Sequence, residues 1–269
     1  SINGMRACHI SLSADDKYIF TAGYHDGKAS VVRINPDGSV GEMTAEVFHK
    51  GMGSIAERNY RPHITCARIT PDGKFLTASD VGLDQVKLYG FDAKTGAIKL
   101  VDILRCELES SPRSMIFSPD GRFAYLICQL KNCVNVYTYN SDDGMPHFEM
   151  IQQISTLGKS YNDKSAVAAI KQSVDGKYIF CSNAGDNSIA FFVRDEKTGM
   201  LTKNCVLPIS GDYPKNMCIF PDNKHIASLN HESNEITFFT IDYENGLLIQ
   251  HGKPMQVETP NCAVIKKLS

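Results

Sequence analysis

The chain has 269 residues, of which 28 are Lys or Arg and 30 are Asp or Glu, so its formal net charge is -2. With no block of basic residues to follow a phosphate backbone, we expect no nucleic-acid partner. No apolar run approaches the roughly 20 residues that span a bilayer, and residues 1–10 lack the charged and apolar regions of a signal peptide. We therefore predict a cytoplasmic protein with no membrane partner.

Nine cysteines form an odd set without a Cys-x-x-Cys pair. Most of them lie within apolar strand patterns, and their spacing matches no metal site. We interpret them as reduced thiols that act as small hydrophobic residues, rather than as disulfides or zinc ligands. The sequence therefore predicts no structural metal and no cofactor.

A turn pattern recurs along the chain about every 50 residues, a period that is typical of propeller blades. It contains an acidic residue, a residue that accepts positive φ, and a basic residue. Its five copies begin at Asp15, Asp72, Asp120, Asp175 and Asp222. A strand pattern precedes each copy, and a second strand rich in aromatic or β-branched residues follows it.

A third, alternating strand and a weaker fourth strand complete each unit, with a polar turn between them. The third strands are predicted at residues 29–34, 86–91, 134–139, 189–193 and 236–241. Helical periodicity is not sustained anywhere. Radially repeated units of four antiparallel strands form a β-propeller. We therefore predict an all-β fold, a β-propeller of four-stranded antiparallel blades.

We expect a single β-propeller domain over residues 1–269. Its blades are predicted at residues 1–57, 58–108, 109–159, 160–210 and 211–258. Residues 259–268 repeat the first strand of a unit, so they are predicted to be the innermost strand of a closing blade. Residues 1–5 offer no strand to share with it. Either the ring closes irregularly, or further sequence precedes Ser1.

Short motifs near the strand ends identify a family. They are Ala7-Cys-His-Ile10, Arg61-Pro-His63, Ser79-Asp-Val-Gly-Leu-Asp-Gln85, Ser111-Pro-Arg113, Asn183-Ala-Gly-Asp-Asn-Ser-Ile189, Tyr213-Pro-Lys-Asn216 and Thr259-Pro-Asn-Cys262. In these motifs the chain resembles the lactonase β-propellers of the bacterial 6-phosphogluconolactonase type, over essentially its whole length. The absence of Trp separates it from WD40 propellers.

The resemblance implies a seven-bladed ring, of which this chain would supply five blades and one closing strand. We therefore expect an N-terminally truncated chain, and a complete five-bladed ring is the alternative. An incomplete ring would expose apolar blade faces, so it would require self-association or the missing segment to cover them.

In such a ring, the residues at the start of each innermost strand converge on one mouth of the central channel, where ligands bind. The predicted catalytic residues are His63, Arg113 and His9. A histidine would activate water, and Arg113 would stabilise the developing oxyanion. The predicted substrate-binding residues are Lys171, Lys215, Asn216, Gln129, Asp186 and His231. This polar, mostly cationic set suits the carboxylate or phosphate of an anionic sugar lactone or sugar acid.

The resemblance implies a lactonase-like hydrolase, acting on a sugar lactone such as 6-phosphogluconolactone in carbohydrate metabolism, within the pentose phosphate pathway. Departures from the family pattern support an alternative. Gln129 stands where the family commonly has a glutamate, Ala184 where it has an arginine, and Asp186 where it has a histidine. The alternative is a non-catalytic or re-purposed propeller that binds an anionic sugar acid or a protein partner.

Other polar residues have a structural interpretation. Asp80 and Asp84 flank Gly82 and are expected to shape their loop, because Asp readily caps turns. An ion pair between Lys171 and Asp186 would neutralise both as ligands. The remaining histidines are expected to be solvated: His25, His49, His147, His225 and His251.

Overall fold

The computed structural model describes residues 4, 6–53 and 60–265, and all regular secondary structure in this part of the chain is β-strand. The strands form five four-stranded sheets, in each of which consecutive strands are neighbours. The predicted all-β fold of four-stranded antiparallel sheets is confirmed. No helix in the described part is long and apolar enough to cross a membrane.

The strand bounds follow the repeat. The first sheet contains β1 (His9–Leu12), β2 (Tyr18–Gly23), β3 (Lys28–Ile34) and β4 (Val40–Phe48). The second contains β5 (Ile64–Ile69), β6 (Phe75–Asp80), β7 (Gln85–Phe91) and β8 (Ile98–Arg105). The third contains β9 (Pro112–Phe117), β10 (Phe123–Cys128), β11 (Cys133–Asn140) and β12 (His147–Ser155). The fourth contains β13 (Val167–Gln172), β14 (Tyr178–Asn183), β15 (Ser188–Arg194) and β16 (Leu201–Pro208). The fifth contains β17 (Pro214–Ile219), β18 (His225–Asn230), β19 (Glu235–Asp242) and β20 (Leu247–Gln256).

The turn between the first and second strands has the same backbone geometry in the five sheets, and the first four sheets also share a side-chain hydrogen-bond pattern. A residue in the left-handed region, with φ between 55° and 73°, occupies one position in each: Asp16, Gly73, Gly121, Gly176 and Asn223. In the third sheet, Ser118 Oγ accepts a hydrogen bond from the Phe123 amide at 3.0 Å and donates to the Asp120 carboxylate at 2.5 Å. Ser13, Thr70 and Ser173 do the same in the first, second and fourth sheets. The predicted turn pattern is confirmed.

The chain divides into two compact units. The first unit comprises Ser1–Cys128 and Thr138–Glu149, and the second comprises Gln129–Tyr137 and Met150–Ser269. In the first unit, a core of buried residues from the first two sheets includes Tyr18, Phe20, Val31, Leu76 and Tyr89. In the second unit, a core from the fourth and fifth sheets includes Phe180, Phe191, Met217, Ile226 and Phe239. That the chain forms a single domain stays a prediction.

Side chains link neighbouring first strands within the first unit. Ser11 Oγ in β1 donates to the Ala67 carbonyl in β5 at 2.7 Å. Thr65 Oγ1 in β5 donates to the Arg113 carbonyl in β9 at 2.6 Å. These lateral links hold the starts of successive first strands side by side.

The second unit contains links of the same kind beyond its last sheet. Asn216 and Cys218 in β17 donate to the carbonyl oxygens of Asn261 and Ala263, at 3.2 and 3.3 Å. Residues 261–265 therefore lie where a following first strand would lie, although they have no regular strand geometry. Residues 266–268 of the predicted closing strand lie outside the described residues.

Candidate functional site

His9, Cys66 and Ser114 lie together in the first unit. They belong to β1, β5 and β9, which are the first strands of the first three sheets. His9 Nε2 lies 3.7 Å from the Cys66 sulfur, to which Ser114 Oγ donates at 3.9 Å. His9 Nδ1 accepts a long hydrogen bond of 3.4 Å from the Ala67 amide. Both ring nitrogens of His9 are therefore engaged by protein groups.

Cys66 is buried, yet its thiol ionises more readily than an ordinary cysteine. Burial alone would raise its pKa, but the interaction with His9, with a further contribution from Arg68, lowers the pKa from 9.0 to about 6. The sequence did not indicate this pair, because Cys66 lies in the apolar pattern of a core strand. The available signal was that His9 and Cys66 occupy the first strands of successive units.

His63 lies in the segment that leads into β5 and has a different environment. Its ring is buried and stacks on Tyr24, with the ring centroids 4.2 Å apart. Nδ1 lies 2.8 Å from the Tyr24 carbonyl oxygen, and because a carbonyl can only accept, Nδ1 carries the proton. In the neutral ring the lone pair is then on Nε2, which is the arrangement that a general base requires.

Asp80 ends β6 and is buried, and its two oxygens organise the segment around His63. Oδ1 accepts hydrogen bonds from the backbone N–H groups of His63 at 2.8 Å and Gly82 at 3.0 Å. Oδ2 lies 2.7 Å from His49 Nδ1. The loop-shaping role predicted for Asp80 is confirmed. The prediction that His49 is solvated is wrong, because its side chain is buried against Asp80. Burial lowers the pKa of His49, although Asp80 opposes this effect.

Asp84 shapes the connection that leads to Arg113. Its carboxylate accepts hydrogen bonds from the backbone N–H groups of Glu109 at 2.8 Å and Ser111 at 2.7 Å. Both of these residues have left-handed backbone geometry, with φ of 61° and 52°. Asp84 thus stabilises a bent connection directly before β9, which is a different segment from the loop around Gly82 that it was predicted to shape.

Arg113 is the second residue of β9 and is half-buried. Its guanidinium interacts electrostatically with the Cys8 thiol. The Cys8 sulfur lies 3.4 Å from the carbonyl oxygens of Ala22 and Ile64. Burial raises the pKa of the Cys8 thiol, and Arg113 partly offsets this rise. Arg113 and the segment containing His9 are therefore electrostatic neighbours in the first unit. A guanidinium in this position can bind two oxygens of an anion at once.

The predicted substrate-binding residues all lie in the second unit. Lys171 is in β13, and Lys215 and Asn216 are in the neighbouring β17. The Asn216 side chain is engaged by the Asn261 carbonyl. Gln129 follows β10 directly and is buried.

Asp186 and His231 lie in the loops that follow the second strands of the fourth and fifth sheets. Ser188 Oγ donates to Asp186 Oδ2 at 2.5 Å, and His231 Nδ1 lies 3.0 Å from Glu232 Oε1. The structure shows no ion pair between Lys171 and Asp186, both of which belong to its described part. Substrate binding by these side chains stays a prediction.

No group of three or more His, Cys, Asp or Glu residues in the described ranges could hold a metal ion. All the cysteines are free thiols, and Cys66, Cys128, Cys133, Cys181 and Cys218 are buried. The interpretation as small hydrophobic residues fits Cys181, whose pKa is raised by burial. It does not fit Cys66, because His9 and Arg68 favour its thiolate.

Comparisons with known proteins agree with this architecture. The family model described as "Lactonase, 7-bladed beta-propeller" matches residues 1–265. The 6-phosphogluconolactonase of Bacillus subtilis is 30% identical over 261 residues, which cover 97% of this chain and 73% of the relative. A periplasmic gluconolactonase from Pseudomonas aeruginosa is similar in structure, with a TM-score of 0.86 and 26% identity over 94% of this chain and 71% of that one. A protein from Lactobacillus plantarum has a TM-score of 0.86 and 28% identity over 95% and 73% of the two chains. The chain therefore belongs to the lactonase family of seven-bladed β-propellers.

Proposed function

We propose that the protein hydrolyses the lactone of a sugar acid, and that 6-phosphogluconolactone is the first candidate substrate. The observation that carries the proposal is the orientation of His63, whose protonated Nδ1 is held by the Tyr24 carbonyl so that Nε2 is the basic nitrogen. Membership of the lactonase family and the 6-phosphogluconolactonase of Bacillus subtilis support the reaction class and the candidate substrate.

His63 is a better candidate for the general base than His9. The ring of His9 directs one nitrogen at the Ala67 amide and the other at the Cys66 sulfur. A general base needs a lone pair that can reach water. Within the described residues, Nδ1 of His63 contacts a backbone carbonyl and Nε2 forms no hydrogen bond, and the amide of the same residue is held by Asp80. In this proposal His9 contributes to the polarity of the site instead of removing a proton.

The reaction that these groups support is direct hydrolysis. His63 Nε2 takes a proton from a water molecule as the water oxygen attacks the lactone carbonyl carbon. The carbonyl oxygen becomes an oxyanion, which the Arg113 guanidinium stabilises. The bond between this carbon and the ring oxygen then breaks, and the ring oxygen takes the proton from His63. The product is the open-chain hydroxy acid.

The proposal is tested by the rate of lactone loss, measured as acid release against the spontaneous rate at the same pH. We expect wild-type protein to accelerate the loss of 6-phosphogluconolactone. His63→Gln should reduce the enzymatic rate by about a hundredfold or more, the usual contribution of a general base. Arg113→Ala should cost a similar factor, about a hundredfold, by removing oxyanion stabilisation.

His147→Gln is the matched control. His147 is exposed, contacts Asp143 at 2.9 Å and begins β12, at the opposite edge of the third sheet from β9, which carries Arg113. The rate of lactone loss with the His147→Gln variant should equal that with wild type. Binding of the sugar acid without any acceleration of hydrolysis would contradict the proposal and favour a propeller that only binds. Action in the cytoplasm and in the pentose phosphate pathway stays a prediction, and one relative is described as periplasmic.

A further inference from the structure

The segment that carries His63 is held between two loops. A Cβ atom at Gly27, in the loop between β2 and β3, would lie 2.8 Å from the Pro62 Cβ, and one at Gly82, in the loop after β6, would lie 1.7 Å from the Arg61 carbonyl oxygen. The two loops therefore pack directly against the backbone or the proline ring of this segment. Its side chains consequently project from a fixed position, which favours recognition of a ligand.

Tyr60 and Arg61 form an exposed pair next to the buried ring of His63. Tyr60 is 60% exposed, and Arg61 is exposed as well. The rings of Tyr60 and His63 stand at 87° to each other, with their centroids 6.1 Å apart. The Arg61 guanidinium carbon lies 5.8 Å from the centre of the Tyr60 ring, within the range of a cation–π interaction. The Tyr60 ring therefore has both the proposed base and a cation as neighbours.

Two carboxylates of the adjoining loops are engaged elsewhere. Asp80 is buried, and its oxygens accept backbone N–H groups and contact a histidine ring. Asp26 has its Oδ2 beside Gly4, where the Lys28 ammonium also lies. In the described part of the chain, Arg61 forms no ion pair with a carboxylate. An exposed guanidinium in this situation has N–H donors for the oxygens of an anionic ligand.

We propose that Arg61 binds the phosphate group of a phosphorylated sugar lactone, and that it makes the protein select this substrate over an unphosphorylated lactone. The assignment rests on the proposed function, in which Arg113 is used by the oxyanion, so a phosphate on the same molecule needs a second cation. With the reacting carbonyl beside His63, a phosphate several bonds away would extend past the Tyr60 ring toward the guanidinium. The planar guanidinium can bind two phosphate oxygens at once, and the Tyr60 ring orients it.

Calorimetric titration with 6-phosphogluconate, the product expected from the phosphorylated lactone, tests this assignment without relying on turnover. Wild-type protein should bind 6-phosphogluconate, and Arg61→Gln should weaken binding by about tenfold or more, since it removes charge-assisted hydrogen bonds. Arg122→Gln is the matched control. The Arg122 guanidinium also lies over an aromatic ring, that of Phe123 at 5.1 Å, and its loss changes the net charge equally. Arg122→Gln should bind 6-phosphogluconate as wild type does.

Tyr60 provides a second pair of variants that keep Arg61 in place. Tyr60→Leu removes the ring that orients the guanidinium, and it should weaken 6-phosphogluconate binding by about two- to fivefold, the effect of an exposed cation–π contact. Tyr60→Phe keeps the ring and should bind as wild type does. Equal binding by Tyr60→Leu and wild type would contradict the role given to the ring.

Turnover separates a failure of this assignment from a failure of the proposed function. Arg61→Gln should lower kcat/KM for 6-phosphogluconolactone by about tenfold or more and leave kcat/KM for the unphosphorylated gluconolactone unchanged. An equal fall for both lactones, or no preference of wild type for the phosphorylated one, would overturn the assignment and leave lactone hydrolysis standing. Absence of 6-phosphogluconate binding to wild type would also overturn it. Binding through Arg61 without hydrolysis would contradict the proposed function alone.

Discussion

Asp80 shows how one buried carboxylate can stabilise two neighbouring segments. It accepts the His63 amide with one oxygen and contacts the His49 ring with the other. The nearby ammonium of Lys87 has a pKa lowered by burial, and the charge of Asp80 opposes that shift. Asp80 therefore balances a buried cation while it fixes the backbone of the proposed base.

Replacing Asp80 with Asn should destabilise the protein by about 3 kcal/mol, because Lys87 would remain buried without the nearby negative charge and the contact with the buried His49 would be weakened. Urea denaturation measures this loss as a change in the free energy of unfolding. Asp142→Asn is a suitable control, since Asp142 is exposed, and surface substitutions of this kind change stability by about 0.5 kcal/mol or less. Equal stabilities for the two variants would contradict the role given to Asp80.

The perturbed thiol of Cys66 predicts a pH-dependent stability. Its pKa is about 6 in the folded protein and near its ordinary value of 9.0 in the unfolded chain. Between these values the unfolded state binds more protons, so the contribution of Cys66 is complete above the upper value and is lost as the pH falls through the lower one. The advantage of wild type over Cys66→Ala should therefore grow from pH 6 to pH 9, by up to about 1.4 kcal/mol per pH unit.

Denaturation curves for both proteins at several pH values in this range check the prediction. Cys181→Ala is the matched control, because Cys181 is also buried but has a pKa raised by burial. Cys181 stays protonated in both states below its ordinary pKa, so its contribution should not vary over most of the range. A constant difference between wild type and Cys66→Ala would show that His9 does not stabilise the thiolate.

At the scale of the element, the loops between second and third strands depend on close backbone approach. Gly82 in the second sheet lies against the chain that precedes β5, so that a Cβ atom there would fall 1.7 Å from the Arg61 carbonyl oxygen. Gly185 has the same relation to Lys164 in the fourth sheet, at 2.2 Å. These glycines allow the connection between sheets to pass over the loop of the sheet it enters.

Gly82→Ala should therefore cost at least about 2 kcal/mol of stability, since backbone must move to admit the methyl group. Thermal or urea unfolding detects this loss. In Gly158→Ala, by contrast, the new methyl group would meet no heavy atom within 4 Å. Its stability should stay within about 0.5 kcal/mol of wild type. A loss of similar size in both variants would contradict the steric explanation.

Strands and turns were well predicted because their signals are local. The third strands predicted at residues 29–34 and 86–91 correspond to Lys28–Ile34 and Gln85–Phe91 in the structure. Alternation and turn chemistry need only adjacent residues. The predicted closing strand has no regular strand geometry over residues 259–265, because a first strand is defined by pairing with a second strand as well as by its own sequence.

At the scale of the whole molecule, the repeat predicted where residues lie in the strands better than it predicted which side chains they contact. It predicted that Arg113 and His63 stand at or before first strands, which the structure shows. The pairing of His49 with Asp80 and the contact of His9 with Cys66 could not be predicted. Each depends on contacts between distant parts of the chain, and a single sequence does not reveal which side chains meet.

The lateral links between first strands bear on how a chain of this kind can change its length during evolution. In each link the donor is a side chain of the earlier strand, and the acceptor is a backbone carbonyl of the later segment. Every residue type supplies a carbonyl. A unit added by gene duplication would therefore be accepted by its predecessor whatever side chains it carried there. The side-chain donors of the added unit could in turn bond the next unit. The hydrogen bonds between units can therefore be kept while the sequence that supplies the carbonyl groups diverges.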